Sequence, residues 1–144
     1  MIGVAEVQEL QKFRQYHSMM PTFTFESIKA WQKAHAFTLF VYKLTRNYPE
    51  DERFGLTSQF RRAAISIEAN IAEGYKKLSK ADKLRFFNIS EGSIAECRNY
   101  IILSRDLNFI NEDQYCELFY AIEETSKLLT AYCKGIINNS GVAD

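Results

Sequence analysis

The chain is poor in the two residues that most often interrupt regular structure, with two prolines and six glycines in 144 residues. That scarcity argues against a loop-rich or collagen-like protein and favours long helices. It also lacks a net charge, with 18 Lys and Arg against 18 Asp and Glu, so bulk basicity cannot drive nucleic-acid binding and any such binding must come from a local patch. No run approaches the ~18 apolar residues of a membrane span, and the start MIGVAEVQELQKF has no basic stretch ahead of an apolar one. The expectation is a cytoplasmic protein with no membrane partner. The three cysteines, Cys97, Cys116 and Cys133, are widely spaced and form no C-x-x-C pair. They read as reduced core or flank residues, not as a disulfide framework or metal site.

What remains is rich in apolar residues at helical spacing. A length of 144 residues fits one domain with one core. Residues 1–23 form a weakly structured arm in which Val4, Val7, Leu10 and Phe13 are the regular apolar positions. Thr24 can cap a first helix with Ile28, Trp31, His35, Leu39 and Tyr42 on one face, widened by Ala30, Ala34, Phe37, Val41 and Leu44, and stopped at Tyr48-Pro49. A second helix runs from about Phe54 to Lys77. Ser79 and Asp82 then read as a capping box for a third, through Leu84, Phe87, Ile94, Ile101 and Ile102, ending near Leu107-Asn108. Asn111 and Gln114 read as a second box, for a fourth helix carrying Tyr115, Leu118, Phe119, Ile122, Leu129, Tyr132 and Ile136. Residues 138–144 are a flexible tail. The economical architecture is all-α, an up-down-up-down antiparallel four-helix bundle over residues 24–137, on the order of 35 Å long.

The segment QFRRAAISIEANIAEG, Gln59 to Gly74, carries two seams. Phe60, Ala63, Ile67, Asn70 or Ile71, and Gly74 share an apolar stripe, with Gln59, Arg62, Ser66 and Glu73 beside it. Asn70 reads as a polar register-setting residue inside the bundle, and Gly74 as either a point of close helix approach or a loosened helix end. Residues 53–85 hold eight Lys or Arg against three acids, whereas residues 106–124 hold six acids and no Lys or Arg. These segments are solvated faces, complementary subunit contacts, or, for the basic one, a phosphate site. Arg61 and Arg62 suit bidentate pairing with a carboxylate or phosphate. Glu73, Glu91 and Glu96 are candidate carboxylates, so ion pairing between helices or subunits is preferred to RNA contact there. Lys76, Lys77, Lys80, Lys83 and Arg85 cluster around the second turn and are the better phosphate candidates.

No enzyme pattern emerges. There are no paired Glu-x-x-His motifs for a di-iron site, no Gly-x-Ser-x-Gly elbow around Ser93 and no phosphate-cradling Gly-x-x-x-x-Gly-Lys loop. The expectation is no cofactor, no metal and no small-molecule substrate.

The ordered segments AWQKAHAF (30–37), VYKLT (41–45), YPEDERFGLTSQFRRAAISIEANIAEGYKK (48–77) and GSIAECRNYIILSRDLNFI (92–110), the last carrying Gly92 and Glu96, resemble the bacterial family named for intervening sequences in 23S ribosomal RNA genes. The resemblance covers about residues 24–137. It implies a non-enzymatic four-helix bundle assembling as a homo-oligomer, a ring of five. It also implies similarity to accessory proteins of diversity-generating retroelements, which are associated with nucleic acid and a reverse transcriptase. Glu68-Ala69 stand where proline-serine is common, and Ser90-Glu91 where a small or basic residue is, so this surface is less basic than the pattern. The reading is a module for structured RNA or a nucleic-acid-handling protein; the alternative is a purely protein-directed scaffold.

Overall fold

The protein is described by a computed structural model that covers residues 1–19 and 24–139. Among the described residues the chain is all-helical, with five α-helices and no strand: α1 (Val4–Met19), α2 (Lys29–Thr45), α3 (Leu56–Lys76), α4 (Lys80–Asp106) and α5 (Glu112–Asn138), plus 3₁₀ turns at Phe25–Ser27 and Glu50–Glu52. Five helices replace the expected four because residues 4–19 coil as well. Their Ala, Glu, Gln, Leu and Lys are good helix formers, and the Glu6 carboxylate accepts the Gly3 amide at 2.9 Å. α1 nevertheless buries nothing and touches no other helix. The expected end of the arm, at residue 23, and the tail beyond Asn139 lie outside the described residues.

α2, α3, α4 and α5 enclose one core, each helix packing on two others: α2 on α3 and α5, and α4 on α3 and α5. Partner numbers rise along one helix as they fall along its neighbour, as in Arg62 with Glu96, Ser66 with Ser93 and Ser90 with the Ile67 carbonyl. The first apolar face needs correction. Ala30, Ala34, Phe37, Thr38, Val41 and Leu44 are the buried line of α2, whereas Leu39 is 59% exposed and Trp31, His35 and Tyr42 form the rim. On α3 the buried member of the Asn70/Ile71 alternative is Ile71.

Caps define the ends. Thr24 precedes the 3₁₀ turn and its hydroxyl bonds the Glu26 carboxylate, while Ile28, not Thr24, stands at the N-cap of α2. Within the acidic turn 50–52, Glu52 turns back so that its carboxylate accepts the Leu56 amide at 2.9 Å, satisfying a free donor of α3. Ser79 accepts the Asp82 amide at 3.2 Å, one half of the expected box. Asn111 and Gln114 form both halves, at 2.8 and 2.9 Å. Asn108 takes φ 60°, the left-handed turn that ends the helix.

Several core residues are hydroxyls. Thr38 donates to the carbonyls of Ala34 and Ala64 at 3.0 and 3.1 Å, Ser90 to Ile67 at 2.9 Å and Tyr48 to Ser104 at 2.7 Å. Among the described residues no fully buried side-chain polar atom lacks a partner.

The two motif glycines differ. A Cβ on Gly74 would stand 2.7 Å from Phe87 Cε1 and 3.0 Å from Phe86 Cβ, so α3 and α4 meet there closer than any side chain permits; a Cβ on Gly92 would meet nothing within 4 Å. Gly74→Ala should therefore lower stability by about 1–3 kcal/mol through overpacking. Gly92→Ala should raise it by up to about 1 kcal/mol through helix propensity. Urea midpoints of the two variants moving in opposite directions are the expected result.

Candidate nucleic-acid interface

The basic segment 53–85 divides into two places. Arg61 and Arg62 lie in the first half of α3, whereas Lys76, Lys77, Lys80, Lys83 and Arg85 surround the turn from α3 to α4. The 15 positions from Arg61 to Lys76 amount to about 22 Å along a helix. The expected basic patch is thus one compact cluster of five, with the two arginines elsewhere.

The cluster is built on an aromatic ring. Lys77 Nζ stands 4.8 Å from the Phe86 ring centroid and Arg85 Cζ stands 4.7 Å from it. Cation–π attraction positions both groups without neutralising them. Lys80 Nζ donates to the Asn139 carbonyl at 2.6 Å, joining the turn to the end of α5, and Lys83 Nζ donates to the Tyr75 carbonyl at 2.6 Å. Partial burial lowers the Lys83 ammonium below the usual lysine range. Among the described residues only two carboxylates answer the five cations at ion-pair distance. Glu73 is 4.0 Å from Lys77, and Asp82 is 3.7 Å from Arg85. Both pairs are solvent-exposed and weak, and Lys76 has no ion-pair partner among the described residues. The fully exposed Leu78 sits between the lysines.

The paired arginines turn different ways. Arg62 reaches α4, where Nη2 donates to Glu96 at 2.9 Å, and its Nε donates to Gln59 at 3.2 Å. This joins two residues of the sequence motif in an ion pair between helices. Arg61 turns to α2 instead, donating through Nε to the Thr45 hydroxyl at 2.8 Å with its guanidinium 4.6 Å from the Tyr42 ring centroid. Glu91 serves neither arginine. It accepts from Thr130 at 3.3 Å, and its carboxyl is held above the usual range chiefly by burial.

Asn70 is half-buried and bonds within its own helix, to the Ser66 carbonyl at 2.8 Å and hydroxyl at 3.1 Å. It therefore sets no register between helices of this chain. His35 is no core ligand; it stacks on Trp31 and its Nδ1 lies 2.8 Å from the Glu68 carboxylate. Among the described residues no cluster of three potential metal ligands exists and no helix is long and apolar enough to cross a membrane. Cys97 is buried, Cys133 half-buried and Cys116 exposed, all as free thiols. Burial, then the Glu96 charge, pushes the Cys97 thiol well up.

Residues 26–131 match the 23S rRNA-intervening sequence proteins. The chain belongs to that family. The same fold occurs in a crystal structure of a protein of unknown function from the S23 ribosomal protein family of Bacteroides thetaiotaomicron. The two share 25% sequence identity with a TM-score of 0.68, over 73% of this chain and 95% of that one. No curated protein matches the chain. The family match takes in the arginine pair and the lysine turn but not α1.

The unequal setting of the arginines has a measurable result. Arg62→Ala, which removes an exposed pair, should cost less than about 1 kcal/mol in urea unfolding. Arg61→Ala should cost about 1–2 kcal/mol, since it removes a charged hydrogen bond and a ring contact at a half-buried site.

Proposed function

We propose that this family member is a non-enzymatic RNA-binding module of the cytoplasm, an up-down-up-down antiparallel four-helix bundle acting as a homo-oligomer, in which the α3–α4 turn grips the phosphate backbone of structured RNA. The observation that carries the reading is the turn itself. Five cations face two weakly paired carboxylates there, and Phe86 and the Tyr75 and Asn139 carbonyls hold four of the five side chains in place. Cations tethered through rings and carbonyls keep their full charge for a phosphate. The family's tie to ribosomal RNA genes points to RNA as the polyanion.

Assembly is supported by the outer face of α4, where Ile89, Gly92, Ala95, Ile102 and Leu103 are exposed along one side. A strip of small and apolar residues interrupted by Asn99, with an open glycine, accommodates a neighbouring helix, and a ring of five copies would multiply each phosphate contact. The same strip favours the alternative of a protein-directed scaffold that touches no nucleic acid.

Anisotropy of a labelled structured RNA, with the assembly mass fixed by light scattering, separates the two readings. If about four phosphates are neutralised, affinity should fall roughly 50- to 150-fold between about 50 and 200 mM salt. The triple change Lys76→Glu, Lys77→Glu and Lys80→Glu should abolish binding at an unchanged mass. A flat salt response, or full binding by the triple variant, would reject the phosphate grip.

A further inference from the structure

A second charged concavity lies where α2 gives way to α3, at the end of the helices away from the lysine turn. It is a cleft of about 400 Å³ whose lining includes Thr45, Arg46, Arg53, Thr57 and Arg61, with Glu50 as its one acid. Glu52, the other nearby carboxylate, is occupied by the Leu56 amide. None of the three arginines has a carboxylate within 4 Å among the described residues. Three like charges around one concavity repel each other, and among the described residues the one acid of the lining, Glu50, offsets only part of that charge.

The cleft is also organised. Arg61 is pinned by Thr45 through Nε and by the Tyr42 ring, and neither restraint is a hydrogen bond from its two terminal nitrogens. Tyr48, on the same wall, is fixed by its bond to Ser104. Thr57 lines the same cleft at 7% exposure. The lining thus carries a net charge of two positive, with Glu50 as its one carboxylate.

We infer that this cleft binds a phosphate group. A phosphate carries a charge approaching two negative and three acceptor oxygens, enough to engage the forked donor of Arg61, the flanking Arg46 and Arg53, and the Thr57 hydroxyl together. A single carboxylate has one charge and two oxygens and would leave a guanidinium unanswered. The site stands apart from the lysine turn in position and in chemistry. It uses three arginines around a concavity, one of them held by Thr45 and Tyr42, where the turn offers mostly ammonium groups.

The test is an NMR titration of the full chain with inorganic pyrophosphate, following the Arg61 Nε and Thr57 amide signals. Saturable shifts at both are expected. Arg46→Gln with Arg53→Gln, at exposed positions where folding is not at stake, should weaken binding at least tenfold. Arg61→Lys, which keeps the charge and loses the fork, should weaken it several-fold. The lysine-turn triple variant should bind pyrophosphate normally, so failure here and failure of the RNA reading are separable. Two further arms identify the source of the phosphate: a nucleoside 5′-monophosphate, and an RNA oligonucleotide with or without a 5′-phosphate. Absence of saturation, or unaltered binding by the double variant, overturns the inference. So does a loss of assembly mass in that variant with pyrophosphate binding intact, which would give the cleft to carboxylates of a second copy.

Discussion

The approach of α3 to α4 at Gly74 is the constraint on which the rest of the molecule depends. Where a methyl group would sit, Phe87 has already placed its ring edge. The two helices can then exchange hydrogen bonds along their length, Ser66 with Ser93 and Ile67 with Ser90, before separating enough for Arg62 and Glu96 to meet at the surface. Contact this tight permits a connection of three residues between the helices. A turn that short forces Lys76, Lys77, Lys80, Lys83 and Arg85 into one neighbourhood, because the last turn of one helix and the first of the next have no room to diverge. The functional surface follows from packing at a glycine.

Most of the helical content was legible in the sequence. The second, third and fourth helices expected from spacing and capping correspond to α3, α4 and α5 within a residue or two, since both strong caps, Ser79 and Asn111, accept the amides their spacing assigns. The errors share a cause. Thr38, Ser90, Ser93, Ser104 and Thr125 are buried although hydropathy marks them as polar. A hydroxyl can donate a hydrogen bond to a carbonyl one turn back or on the next helix and so enter a core at small cost, and apolar periodicity cannot register such a residue. The same blindness put Leu39 inside and chose the wrong centre for the face of α2. The site was half legible: a run of charges shows that cations cluster, but not that Arg61 and Arg62, neighbours in sequence, serve different helices.

Two polar residues of the motif region are used between helices. Glu68 accepts His35 at 2.8 Å and fastens α2 to α3 beside the Trp31 stack. Ser90 donates to the Ile67 carbonyl across α3 and α4. Both serve the packing of the helices and leave the cations at the α3–α4 turn untouched.

α1 stands in a different thermodynamic class from the helices that follow it. Sixteen residues with no tertiary contact have only the stability of a short peptide, and such helices are marginal in water because nucleation is costly. Its coiling will fade gradually with temperature, well before the packed helices melt together. A calorimetric trace and a far-ultraviolet trace of the same heating should therefore diverge, the second losing signal first.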